Sequence, residues 1–190
     1  MKCTQLWRSG NLIDFNFIQK LEGYSLTGYV PAFGRSGVTI AGGFDIGQRS
    51  ENELRLAFDK PLFDKLVHYA HLKRDEAEKK LAEIPLELTA HEAATVNRFS
   101  HNQAYERILK EWSEIVSFDS LSDECQTVIA SVAFQYGSLS DRCPNFWHQV
   151  TNGEWLAAYD NLRNFGDAYS TRRNKEADLL GYWITKQINK

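Results

Sequence analysis

The sequence is poor in the devices that hold a chain together without a core. It has three cysteines, at 3, 125 and 143, with no C-x-x-C pair and no zinc-type spacing. An odd count of this kind fits unpaired thiols in a chain folded under reducing conditions, with a Cys125–Cys143 bridge as the less favoured alternative. Of the five histidines, only His68 and His71 stand at i,i+3, and no third ligand follows at a sensible spacing, so both read as solvated rather than metal-binding. The longest apolar run, Val128 to Phe134, is interrupted by Ser131 and falls far short of the ~18 residues of a membrane span. The opening Met1-Lys2-Cys3-Thr4-Gln5-Leu6-Trp7-Arg8 has no apolar stretch after its Lys and reads as no secretory or lipoprotein leader. Internal repeats and low-complexity tracts are absent.

There is also no concentrated basic charge. The net charge is −3: residues 1–50 hold five basic and three acidic groups, 51–141 ten and 17, and 142–190 seven and five. Phosphate binding needs several Lys or Arg on one face, so nucleic acid is not expected as the main partner. What remains is 190 residues, 43% hydrophobic, enough for one domain that withdraws roughly 70% of its unfolded surface from water. Residues 1–190 are expected to form a single domain, with a helix and small sheet in 1–50 and a helical lobe in 51–190.

Asp14 precedes Phe15, Phe17, Ile18 and Leu21 at helical spacing, and Gly23 stops the pattern, which predicts a first helix near 14–22 capped by Asp14, with Glu22 at its exit. From 23 to 49 the texture changes. Seven of the 12 glycines fall there, around the β-type runs Tyr29-Val30 and Val38-Thr39-Ile40, and predict a small twisted sheet with close backbone approaches. After Ser50 everything reads as helix. Ser50 to Glu53 and Thr89 to Glu92 fit capping boxes, the second opening a helix to about Val116. Ser122 caps a run through Val128, Ile129, Val132, Ala133 and Tyr136, ended by Gly137, that reads as the buried central helix. Segments from Pro144 to Val150, Trp155 to Phe165 and Thr171 to about Gln187 complete six or seven helices. Trp112, Trp147, Trp155 and Trp183 fall at apolar helix positions and are assigned to packing. The fold class expected is α+β, mostly α.

Between residues 15 and 50 only Glu22 and Asp45 carry carboxylates, one at the end of the first helix and one at the far end of the second strand run. Two carboxylates facing one cleft are what glycoside hydrolysis uses: one donates a proton to the leaving oxygen, the other acts on water or on the anomeric carbon. In isolation each residue has a plainer reading: Glu22 as a solvated helix end, Asp45 as a turn former before Gly47, Thr39 as an ordinary strand residue.

The runs Lys20-Leu21-Glu22-Gly23-Tyr24, Gly28-Tyr29-Val30-Pro31 and Ser36-Gly37-Val38-Thr39-Ile40-Ala41-Gly42-Gly43-Phe44-Asp45-Ile46-Gly47 resemble the muramidase domains of pesticin-like bacteriocins and of some type VI secretion effectors, relatives of the T-even phage lysozymes. Val132 to Gly137, Trp155 to Leu162 and Arg172 to Ala177 resemble helices of phage lysozymes. The order Glu, Thr, Asp is that of the pesticin branch; phage lysozymes place the Asp before the Thr. The resemblance implies a lysozyme-like fold and a muramidase cleaving the β-1,4 bond between N-acetylmuramic acid and N-acetylglucosamine in peptidoglycan, without metal or cofactor. It implies Glu22 as general acid, Asp45 as the group acting on water and Thr39 as the hydroxyl positioning that water. For Glu22 to hold a proton near neutral pH, its carboxyl must be partly desolvated. An inverting mechanism calls for carboxyls about 6.5–9.5 Å apart, and a retaining one for about 5 Å. Gln135 is implied as a substrate-binding residue, with a capping or core role as its alternative, and Arg172 or Arg173 as a support for Glu22, against the plainer reading of solvated basic residues.

The resemblance further implies a delivered antibacterial toxin or phage-type lysozyme, monomeric, made in the cytoplasm and acting in the periplasm, with an immunity protein as partner. A lytic transglycosylase and a non-catalytic wall-binding module are the alternatives; Asp45 and Thr39 argue against the first, and the presence of all three of Glu22, Thr39 and Asp45 against the second.

Overall fold

The computed structural model describes residues 12–32, 34–112 and 117–189. The segment from Met1 to Arg8, with Cys3, lies outside them, as does the expected end of the long helix at Val116. The elements in chain order are α1 (Phe15–Glu22), β1 (Ser25–Tyr29), β2 (Thr39–Ala41), β3 (Phe44–Asp45), α2 (Glu51–Ala57), α3 (Lys60–Leu66), α4 (Arg74–Glu83), α5 (Ala90–Glu111), α6 (Asp123–Tyr136), α7 (Leu139–Arg142), α8 (Pro144–Thr151), α9 (Trp155–Arg163) and α10 (Ser170–Ile188). The class is α+β, mostly α, as the sequence predicts. The chain forms two compact units: residues 22–102, and the residues up to 21 together with those from 103 onward.

In the unit formed by residues 22–102, the sheet is antiparallel in the order β1-β2-β3. Tyr29 pairs with Thr39 across the first ladder, and Ile40 pairs with Phe44 across the second. Asp45 therefore does not end the second strand. It sits on a third strand, which the Ala41-Gly42-Gly43 turn folds back onto the second. The outer edge of β1 is covered by the 86–88 segment, where the Gly28 N–H donates to the Leu86 carbonyl at 2.8 Å and the Leu88 N–H to the Leu26 carbonyl at 2.9 Å. Val38, Ile40, Phe44 and Ile46 enter a core with Leu54, Phe58, Leu62 and Val96. Within it, Phe58 and Phe99 meet edge to face at 5.1 Å.

Local capping explains where the helices of this unit begin. Ser50 Oγ accepts from the Glu53 N–H at 3.1 Å. The Thr89 box is reciprocal: Thr89 Oγ1 accepts from the Glu92 N–H at 3.2 Å, and Glu92 Oε2 accepts from the Thr89 N–H at 2.7 Å. Asp59 caps a separate helix, its Oδ1 accepting from the Leu62 N–H at 3.2 Å with Pro61 in the first turn. That start, together with α4 and the four-residue α7 capped by Ser138, gives nine α-helices after Ser50 among the described residues instead of six or seven. His68 and His71 are exposed, as expected.

In the other unit, α1 begins where predicted, Asp14 Oδ1 accepting from the Asn16 and Phe17 N–H groups at 2.9 and 3.1 Å. Its entry is fastened to α6: the Leu12 N–H donates to Gln126 Oε1 at 3.0 Å and the Asp14 N–H to Thr127 Oγ1 at 2.8 Å. The central-helix reading of α6 holds, since Glu124 through Ala133 are all buried. Gly137 ends it at φ +80°, its N–H donating to the Ala133 carbonyl at 2.8 Å. Cys125 and Cys143 are free buried thiols, so the bridge between them does not form. Burial pushes the Cys125 thiol up to about 12, which makes it chemically inert at neutral pH. The four tryptophans assigned to packing all sit against this core, Trp112 on Trp147 at 5.4 Å and Trp155 on Trp183 at 5.3 Å.

Candidate active site

Glu22 is the last residue of α1, and Gly23, at φ +81°, turns the chain out of the helix immediately after it. Its carboxylate lies beside the β2–β3 turn: a Cβ added to Gly43 would stand 3.9 Å from Glu22 Oε2. Gly43 has φ +90°, a left-handed backbone that favours glycine at this point of the turn.

Thr39 and Asp45 are direct partners across the β2–β3 ladder. Partners in an antiparallel pair project from the same face of the sheet with Cβ atoms about 4.5–5.5 Å apart. Thr39 is 4% exposed and Asp45 is half-buried. Both are tied to Gly37: its N–H donates to Asp45 Oδ1 at 3.0 Å, and its carbonyl accepts from Thr39 Oγ1 at 3.3 Å. One carboxylate oxygen of Asp45 is thus fixed, while Oδ2 has no hydrogen-bond partner among the described residues. Gly37 is itself locked. A Cβ there would stand 2.2 Å from the Leu72 carbonyl oxygen and 2.7 Å from Gly47 Cα, so glycine is imposed by backbone crowding. The glycine density of the sequence signals such an approach without saying which glycine makes it.

Three of the four residues singled out from the sequence, Glu22, Thr39 and Asp45, thus belong to one unit and surround one hairpin. The fourth, Gln135, lies on α6 of the other unit, where its Oε1 accepts from the Arg173 guanidinium. Arg173 also donates from Nε to Asp167 Oδ2 at 2.8 Å and pairs with Glu176. Arg172 Nε donates to Glu176 Oε1 at 3.0 Å, and its other nitrogen to the Ser131 carbonyl at 2.8 Å. Arg172 and Arg173 are 8% and 1% exposed, so the reading of them as solvated helix-start residues is wrong. They are paired buried charges around Glu176, which is fully buried and also accepts from Ser131 Oγ at 2.5 Å.

Among the described residues no group of three or more His, Cys, Asp or Glu side chains could hold a metal ion. No helix among the described residues is long and apolar enough to cross a membrane. What the hairpin offers is two carboxylates and a hydroxyl on a rigid, glycine-rich frame, the equipment of a glycosidase.

Comparison with known families bears on the kind of protein that carries this equipment. The pesticin family model, described as a bacterial toxin homologue of phage lysozyme, C-terminal part, matches residues 12–156. The chain belongs to the pesticin family. It is accordingly a lysozyme-type glycoside hydrolase, and its substrate is peptidoglycan. The match takes in Glu22, Thr39, Asp45 and Gln135, whereas Arg172, Arg173 and Glu176 lie beyond it. No match is found among curated proteins.

Proposed function

We propose that this pesticin-family hydrolase cleaves the β-1,4 bond between N-acetylmuramic acid and N-acetylglucosamine, with Glu22 as general acid, Asp45 as general base and Thr39 as the hydroxyl that holds the attacking water. The observation that carries the reading is the Thr39–Asp45 pair. The two side chains share one face of the hairpin, and the free Oδ2 of Asp45 is available to take a proton from water while Oδ1 stays anchored on Gly37. Thr39 Oγ1 gives its hydrogen to the Gly37 carbonyl and keeps lone pairs for a water hydrogen. A carboxylate and a hydroxyl side by side suit the activation of a water, which is the inverting form of the reaction. Gln135, its carbonyl oxygen engaged by Arg173, has its amide hydrogens for an acetamido group of the sugar.

The biological role that fits is that of a monomeric antibacterial toxin or phage-type lysozyme, made in the cytoplasm, delivered to the periplasm of a target cell, by a type VI apparatus among the possible routes, and countered by an immunity protein. The family's description as a toxin homologue supports it. Mass spectrometry of fragments released from purified peptidoglycan tests the chemistry: reducing muramic-acid ends are expected, and anhydro-muramic ends would make the protein a lytic transglycosylase. Proton NMR of the first turnovers should show the α-anomer at the new reducing end; the β-anomer would mean a covalent intermediate.

A further inference from the structure

The turn joining β2 to β3 is held from below by a side chain 55 residues away. Gly42 donates its N–H to Asn97 Oδ1 at 2.8 Å. The turn is an unrelaxed one, Ala41 standing at φ +55° without the freedom of glycine and Gly43 at φ +90°. Asn97 sits inside α5 and is 7% exposed, flanked by the fully buried Ala93 and Val96. Asparagine is a poor helix former and costly to bury, so a requirement outside the helix has to account for it. Space around the contact is tight: a Cβ on Gly42 would stand 2.9 Å from Asn97 Oδ1. The next residue, Gly43, is the one beside the Glu22 carboxylate, and the strands leaving the turn carry Thr39 and Asp45.

We infer that Asn97 is a positioning residue for hydrolysis: by fixing Gly42 it sets the β2–β3 turn, and with it the placement of Thr39 and Asp45 relative to the Glu22 carboxylate. The inference rests on the catalytic roles proposed above for those three residues. Misplacement of reacting groups by about 1 Å lowers turnover by as much as 100-fold while substrate contacts elsewhere survive. Loss of the Asn97 contact therefore acts on kcat and leaves KM largely alone.

The test uses soluble, uncross-linked glycan strands of peptidoglycan as substrate, with kcat and KM measured at each variant's own pH optimum and folding checked by circular dichroism melts. Asn97→Ala is expected to lower kcat at least 10-fold with KM within 2-fold of wild type. Asn97→Asp, which keeps an acceptor for the Gly42 N–H, stays within 3-fold. Gly42→Ala, which pushes the amide away, mimics Asn97→Ala, and the double variant is no worse than Asn97→Ala alone because the clash has gone. Folded Asn97→Ala with wild-type kcat, or Asn97→Asp as impaired as Asn97→Ala, overturns the inference. If Asn97→Ala does not fold, Gly42→Ala with wild-type kcat overturns it equally. Wild type and Glu22→Gln run alongside: an active Glu22→Gln sinks the catalytic role proposed for Glu22 and an inactive wild type the cleavage reading, results distinct from unaffected Asn97 and Gly42 variants.

Discussion

Thr39 and Asp45 face each other across a two-stranded ladder, and a single residue, Gly37, binds both side chains, its N–H on the carboxylate and its carbonyl on the hydroxyl. The pair proposed to activate water is therefore positioned by backbone groups, which stay in place when side chains of the surrounding lobe change rotamer.

The Thr39 hydroxyl can be removed at constant shape. Thr39→Val loses the hydroxyl inside a buried site and is expected to lower kcat 10- to 100-fold, with a stability loss of about 1 kcal/mol from the missing hydrogen bond. Thr39→Ser keeps the hydroxyl and should retain most activity. Steady-state rates on glycan strands with denaturant melts separate the two effects.

Gly37 tolerates no side chain. Gly37→Ala would press a methyl to 2.2 Å from the Leu72 carbonyl oxygen, and the backbone on both sides has to shift. A loss of about 3 kcal/mol or more is expected by urea unfolding, with activity falling even in the folded fraction.

Glu176 is shared between two buried guanidinium groups, of which Arg173 also pairs with Asp167. Glu176→Gln removes one of the two carboxylates that offset the two guanidinium charges in a dry interior, and a destabilisation of about 3–5 kcal/mol is expected in chemical denaturation. The same variant should loosen Gln135, whose amide is oriented by Arg173.

Burial pushes the His101 imidazole down to about 4 from its ordinary 6.5, so the folded protein holds it neutral where the unfolded chain takes up a proton. Stability contributed by this group is complete above pH 6.5 and is lost as pH falls toward 4, by at most about 3 kcal/mol. In His101→Gln the decline of unfolding free energy between pH 6.5 and 4 should be shallower than in wild type. Denaturant titrations at half-unit pH steps measure the two slopes.

What was legible in the sequence follows from how local each signal is. Asp14, Ser50, Thr89 and Ser122 act on N–H groups two or three residues away, and each caps its helix as read. The strand carrying Asp45 is only Phe44 and Asp45, too short for any alternation to show, so the sequence places Asp45 at the end of the preceding strand. The division of 51–66 into two helices depends on a cap at Asp59 that periodicity passes over. Burial of Arg172 and Arg173 depends on Ser131 and Gln135, some 40 residues earlier, and on Glu176 being buried with them. Glu22, Thr39 and Asp45 stand out in the sequence because their order along the chain carries a family resemblance, whereas the contacts of Asn97 and Gly37 exist only once the backbone has folded.

The central claim is that Glu22, Asp45 and Thr39 hydrolyse the glycan of the bacterial wall. It is tested most directly by measuring reducing ends released from purified peptidoglycan by wild type, Glu22→Gln and Asp45→Asn, each confirmed folded. The account predicts release by wild type and a loss of at least 100-fold in both variants. Release by either variant at a rate near wild type would contradict it.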